Sequence, residues 1–189
     1  MKATWIVSTD GHPWRRRAVA ESATGEPTLA FTGREDQAWE GFGGCFNELG
    51  WIALQALAAG DRDAVLDALF DPAEGCRFSL CRLPIGASDY AAEWYSHNEA
   101  DGDYAMKHFS IVRDERHLIP YIRQARRRRP DLTLFASPWS PPTWMKFPKA
   151  YNYGTLVWTQ RNLDAYALYF VKFIQAYAAA GIPIRQLHM

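Results

Sequence analysis

Residues 77–90 read RFSLCRLPIGASDY, in which a largely apolar run ends at Gly86 and a short polar segment follows. An apolar run of this length, bounded by a glycine, predicts a buried strand. Arg82 lies inside the run, and a buried guanidinium without a partner is costly, so we expect polar or acidic groups near the carboxyl end of the strand. The segment therefore predicts a buried strand that delivers charged groups to its exit.

Helical and strand patterns alternate on both sides of this run. The helical patterns lie near 51–59, 64–70, 115–128 and 163–177, and further strands are expected at 132–136 and 182–189. Asp114 stands where it would cap the third helix, and Pro120 inside that pattern predicts a kink or a later start. The alternation is typical of an α/β fold with a parallel sheet.

The first 36 residues lack this alternation and are rich in turn-forming residues. Two short apolar runs, at 5–7 and 29–31, are flanked by Thr, Gly and Pro and predict edge strands. We therefore divide the chain into an N-terminal strand segment, 1–36, and an α/β domain, 37–189.

The composition narrows the class of protein. The 189 residues include 21 Lys plus Arg against 21 Asp plus Glu, without a basic stripe that would follow phosphates, so we expect no nucleic-acid partner. Three cysteines without metal-ligand spacing predict free thiols, and the five histidines show no metal-binding motif, so we expect no metal or cofactor. We expect no membrane span. No signal peptide is visible, so the default prediction is a cytoplasmic protein; a different true N-terminus would make it a secreted one.

Three predicted strand exits carry residues suited to a site. The glycine-rich exit at 41–48 fits neither dinucleotide-binding nor P-loop spacing, so it favours close backbone packing and excludes a doubly wound nucleotide-binding enzyme. At the second exit, Arg82 and Asp89 form either a structural ion pair or a pair of ligand-binding groups. At the third exit, Trp139 and Trp144 flank a Pro-Pro turn and serve either as packing residues or as flat platforms for a sugar ring.

Four motifs, in this order, resemble glycoside hydrolase family 30, the glucosylceramidase-like enzymes. They are WEGFGG at 39–44, RLPIGASDY at 82–90, FSI at 109–111 and ASPWSPPTWMK at 136–146. The resemblance extends over about residues 37 to 189.

The resemblance implies a (β/α)8 TIM barrel, with 37–189 supplying about its first four strands and 1–36 contributing to a side β-domain. It implies a retaining β-glycosidase that hydrolyses β-glucosides or related β-linked glycans, with a carbohydrate or glycolipid substrate and two catalytic Glu residues. Transferred by motif, Asp89 and Trp139 are expected to bind substrate in the glycone pocket. Arg82 is expected near the nucleophile, and Trp144 in the wall of the pocket.

Neither catalytic glutamate is assigned to this sequence. In the family the acid/base belongs to an Asn-Glu-Pro-like tripeptide directly after the strand that here reads IRQLHM at 184–189. A closed barrel needs about 250 residues. We therefore expect both glutamates after Met189, in a missing barrel half, and we expect this chain alone to be inactive. A non-catalytic carbohydrate-binding or degenerate fragment of such an enzyme is the alternative.

Overall fold

The computed structural model describes residues 4–19 and 32–189. The chain divides into two compact units, Met1–Ala38 and Trp39–Met189. In the first unit, β1 (Trp5–Thr9) and β2 (His12–Arg17) form an antiparallel hairpin. The predicted strand at 5–7 is thus present, whereas the one at 29–31 lies outside the described residues.

The second unit alternates helices and strands along the chain. Its helices are α1 (Glu48–Ala56), α2 (Ala59–Phe70), α3 (Leu118–Arg128) and α4 (Gln160–Ala179). Its strands are β3 (Leu80–Ile85), β4 (Thr133–Pro138), β5 (Lys146–Phe147), β6 (Thr155–Leu156) and β7 (Gln186–Leu187). No helix among residues 4–19 and 32–189 is long and apolar enough to cross a membrane.

A parallel sheet forms the centre of this unit. The strand order is β3-β4-β7, and in register Arg82 stands opposite Phe135, which stands opposite Gln186. On the other side of β3, Cys45 forms a parallel bridge with Arg82. Parallel strands joined through helices confirm the α/β class and the parallel sheet expected from the sequence.

The two faces of the sheet differ in burial. Cys81, Leu83 and Ile85 of β3 are buried in the hydrophobic core, together with residues of α3 and α4 such as Ile122 and Tyr169. Arg82 alternates with these residues and is only partly buried, as are Phe135 and Ser137 on β4. Because side chains alternate along a strand, the strands hold one face against the helices and direct the polar residues to the other.

A close backbone approach explains the glycine-rich segment before α1. A Cβ atom added at Gly43 would overlap the carbonyl oxygen of Leu80 in β3. At Gly41, φ is 151°, in the left-handed region that favours glycine. The packing function predicted for these glycines is therefore confirmed.

The start of α3 corrects one prediction. Asp114 does not cap this helix, which begins at Leu118 with His117 in the N-cap position. Pro120 consequently falls in the first turn, where a backbone N–H has no partner within the helix, so the proline costs no hydrogen bond. Of the two predicted effects of Pro120, the structure shows the later helix start. The Asp114 side chain is fully buried and accepts hydrogen bonds from two tyrosine hydroxyls, which the local sequence pattern did not reveal.

Candidate functional site

An ion pair between a partly buried arginine and a buried glutamate anchors the long connection between β3 and α3. The Arg113 guanidinium donates to both carboxylate oxygens of Glu48, with Nε–Oε1 at 2.8 Å and Nη2–Oε2 at 3.0 Å. Glu48 also accepts a 2.8 Å hydrogen bond from the Ala92 amide. Because Glu48 belongs to α1 and both partners belong to the connection, this paired carboxylate fixes the loop that carries Asp89.

A buried histidine holds the first turn of the same loop. The Gly86 amide donates to Nε2 of His97 at 3.2 Å, so this nitrogen carries no proton and the imidazole is neutral. Burial lowers the pKa of His97, in agreement with that geometry. The His97 amide in turn donates to the Tyr169 hydroxyl of α4, which ties the loop to the helix layer.

The neighbouring carboxylate completes this network. The hydroxyls of Tyr95 and Tyr177 donate to Asp114 at 2.9 and 2.5 Å. Burial raises the pKa of Asp114, although the two hydroxyl donors oppose the rise. Sequence reasoning missed these buried residues, because their partners lie up to 72 positions away along the chain.

The loop after β4 is tied to the loop after β3. Glu99 accepts hydrogen bonds from the amide and the hydroxyl of Thr143. The indole N–H of Trp144 donates to the Asn98 carbonyl at 3.0 Å in a buried position. The two loops therefore form one connected structure at the carboxyl ends of two adjacent strands.

Arg82 lies at the centre of the candidate site. Its Nε donates to the Ser137 hydroxyl at 2.5 Å, and its Nη1 lies 3.6 Å from the Cys45 sulfur. The guanidinium carbon lies 5.7 Å from the centre of the Trp139 ring, a cation–π distance. Among residues 4–19 and 32–189, no carboxylate comes within 4.0 Å of Arg82, so the structure does not form the alternative ion pair with Asp89.

Asp89 lies close by without pairing. Its side chain is exposed, and its negative charge and the positive charge of Arg82 shift the pKa of the Cys45 thiol in opposite directions. Burial raises the pKa of Cys45, and the Arg82 cation opposes this rise. The arrangement thus keeps a cation and a carboxylate available to a ligand near the same strand exits.

The two tryptophans predicted for the site differ in exposure. Trp139 is 49% exposed and leaves a ring surface open to solvent, whereas Trp144 is only 8% exposed. Trp144 meets Tyr104 edge to face, with centroids 5.2 Å apart, and its N–H is already donated to Asn98. The structure brings Arg82 and Trp139 together and places Trp144 in the packing that links the two loops. The ligand-binding functions of Arg82, Asp89, Trp139 and Trp144 stay predictions.

Polar groups and an exposed aromatic ring at the carboxyl ends of parallel strands make this an α/β protein with a candidate ligand site at its strand exits. The sequence model of the glycosyl hydrolase family 30 TIM-barrel domain matches residues 39–188. The chain therefore belongs to glycosyl hydrolase family 30.

Individual relatives agree with this family. The chain is 32% identical to the lysosomal acid glucosylceramidase of Mus musculus, over 77% of this chain and 29% of the relative. It is 35% identical to the endo-1,6-beta-D-glucanase of Neurospora crassa, over 78% of this chain and 32% of that protein. The solved structure of SrfJ from Salmonella typhimurium matches with a TM-score of 0.74 and 31% identity, over 80% of this chain and 34% of that one. The chain thus spans about a third of the length of these relatives.

Proposed function

We propose that this protein is a retaining β-glycosidase that hydrolyses β-glucosides or related β-linked glycans by double displacement. The observation that carries the proposal is the Arg82 guanidinium, which lies beside Trp139 and has no carboxylate within 4.0 Å among the described residues. A partly buried cation of this kind stabilises a carboxylate brought near it.

Each site residue has a distinct function in this proposal. Arg82 keeps the nucleophile carboxylate ionised, and the open ring of Trp139 packs against an apolar face of the sugar. Asp89, with its exposed carboxylate, accepts hydrogen bonds from sugar hydroxyls. Trp144 acts from behind this surface by holding the Trp139 loop against the loop that carries Asp89.

The two catalytic glutamates are assigned to the parts of the family barrel that follow β7. The acid/base is expected directly after this strand, and the nucleophile after a later strand of the barrel. Retention requires the two carboxyl groups about 5 Å apart, one attacking the anomeric carbon and the other protonating the leaving oxygen. The acid/base then activates the water that hydrolyses the glycosyl-enzyme intermediate.

The relatives support a glucosyl substrate. One is named a glucosylceramidase and another an endo-1,6-beta-D-glucanase, so both a glycolipid and a β-glucan are consistent with this site. The shared chemistry is a β-linked glucosyl unit, which is the substrate class we assign.

Proton NMR of the first sugar released tests this proposal. The full-length gene product is mixed with 4-nitrophenyl β-D-glucoside, and the anomer that forms first is identified before mutarotation. We expect the β-anomer, because two displacements restore the starting configuration. Release of the α-anomer first contradicts the retaining mechanism, and sugar binding without any release of 4-nitrophenol favours the non-catalytic alternative.

A further inference from the structure

A second aromatic surface lies at the same end of the sheet. Trp94, from the loop after β3, stacks on Tyr151, from the loop after β4, with ring planes 10° apart and centroids separated by 6.1 Å. We propose that this pair, the Trp94–Tyr151 platform, binds a second sugar unit, so that the protein acts on a β-linked oligosaccharide and not on a single glycosyl unit alone. The inference rests on the proposed function and names the substrate class of that site.

The platform has a free aromatic surface. Trp94 is 52% exposed although its ring is supported by a parallel neighbour. Its indole N–H has no hydrogen-bond partner among residues 4–19 and 32–189 and so is free to donate to a sugar hydroxyl. An indole of this kind combines a flat apolar face with one donor, which matches the apolar face and the hydroxyl rim of a pyranose.

The platform is also held rigidly. The buried Lys146 ammonium donates to the Tyr151 carbonyl at 3.1 Å and to the Ser140 hydroxyl at 2.9 Å, which fixes the chain on the Tyr151 side. On the Trp94 side, the Ala92 amide donates to the buried Glu48 carboxylate. Preorganised side chains lose little conformational entropy on binding, so the platform suits a ligand that offers few polar contacts.

The electrostatics favour a neutral ligand. Burial and the nearby Glu99 raise the pKa of Tyr151 to about 12, so its phenol is uncharged at neutral pH. Glu93, the residue before Trp94, forms an ion pair with Arg113 at 2.9 Å. The two rings themselves carry no charge that would recognise a phosphate, and a flat neutral ring with one free N–H donor fits a sugar.

Equilibrium binding to the full-length gene product tests the inference. The probes are methyl 1-thio-β-D-glucoside and a thio-linked β-glucobiose, whose sulfur linkages resist hydrolysis, and the dissociation constants are measured by calorimetry. We expect the disaccharide to bind more tightly, and Trp94→Ala to weaken disaccharide binding roughly tenfold while glucoside binding changes less than twofold. Trp94→Phe keeps a flat ring and is expected to restore most of the difference.

A matched control comes from the other end of the sheet. Trp39 is also exposed and also lies against an aromatic ring, that of Phe42, but it precedes the strand segment at Cys45. Trp39→Ala is expected to leave both dissociation constants unchanged.

Three outcomes separate the possibilities. Loss of disaccharide affinity in Trp94→Ala alone supports the platform. Equal dissociation constants in Trp94→Ala and the unsubstituted protein overturn it, and a larger drop in Tm than Trp39→Ala gives would then assign the ring to packing. Failure of the unsubstituted protein to bind either sugar contradicts the proposed function itself and the inference with it.

Discussion

The Arg82 guanidinium and the Trp139 indole meet 5.7 Å apart although Arg82 belongs to β3 and Trp139 directly follows β4. The 2.5 Å hydrogen bond from Arg82 to Ser137 fixes this approach, because Ser137 lies two residues before Trp139 on the same chain. The cation is thereby held in place without being neutralised.

Replacement of Arg82 is expected to affect turnover more than folding. Arg82→Ala removes the cation that stabilises the proposed nucleophile, so we expect kcat to fall roughly 100-fold. Arg82→Lys keeps a charge but loses the planar donor to Ser137, so we expect an intermediate value. Steady-state kinetics with 4-nitrophenyl β-D-glucoside measures both, and equal kcat values in the unsubstituted protein and in Arg82→Ala would eliminate this function of Arg82.

Alanine substitutions of the two tryptophans in the loop after β4 are expected to have different effects, one on substrate affinity and the other on stability. Trp139→Ala removes a half-exposed ring, so we expect KM to rise about tenfold with Tm almost unchanged. Trp144→Ala empties a buried position and orphans the Asn98 carbonyl, so we expect a loss of about 3–5 kcal/mol in the free energy of unfolding. Urea unfolding and kinetics on both variants test the contrast, and a large stability loss in Trp139→Ala would refute it.

Stability is expected to depend on pH through His97. Burial lowers its pKa in the folded state below the ordinary value of 6.5, so below pH 6.5 the unfolded chain binds a proton that the folded chain does not. The His97 contribution is therefore fully present above pH 6.5 and is lost as the pH falls toward the folded-state pKa. Up to about 1.4 kcal/mol per pH unit is lost in that window.

A substitution at His97 isolates this effect. His97→Gln keeps an acceptor for the Gly86 amide but does not titrate. Asp114 faces His97, and its raised pKa acts in the opposite direction, but this carboxyl is present in both proteins. Denaturant unfolding between pH 7 and 5 is expected to show a steeper loss for the unsubstituted protein, and parallel curves would contradict the assignment.

The close approach at Gly43 predicts a strong effect of a single methyl group. Gly43→Ala would place its Cβ onto the Leu80 carbonyl, and that backbone cannot move without separating the Cys45 segment from β3. We expect a loss of roughly 2 kcal/mol or more by thermal or urea unfolding. Gly60→Ala is the control, because no atom lies within 4 Å of a Cβ at Gly60. A Tm within two degrees or so of the control would show that the segment adjusts easily.

Local sequence patterns predicted the four helices and the three strands of the parallel sheet, since hydrophobic period and turn residues act over a few positions, but they did not predict β2, β5 or β6. The strand predicted from the run at 77–85, with Arg82 inside it, is present as Leu80–Ile85, and the helix predicted at 163–177 extends in the structure to 160–179. The buried network of His97 and Asp114 escaped prediction because its partners come from α4 and from a long loop. Four motifs in order gave the family, which the family match confirms, whereas the cytoplasmic location and the ligand-binding functions stay predictions.

The links from Asn98 to Trp144 and from Glu99 to Thr143 have a consequence for protein engineering. If one of these two loops were replaced by the loop of a relative with another preferred substrate, the residues of the remaining loop would lose their hydrogen-bond partners. The two loops are therefore a single exchangeable cassette, and a chimera designed to change selectivity needs both of them from the same donor.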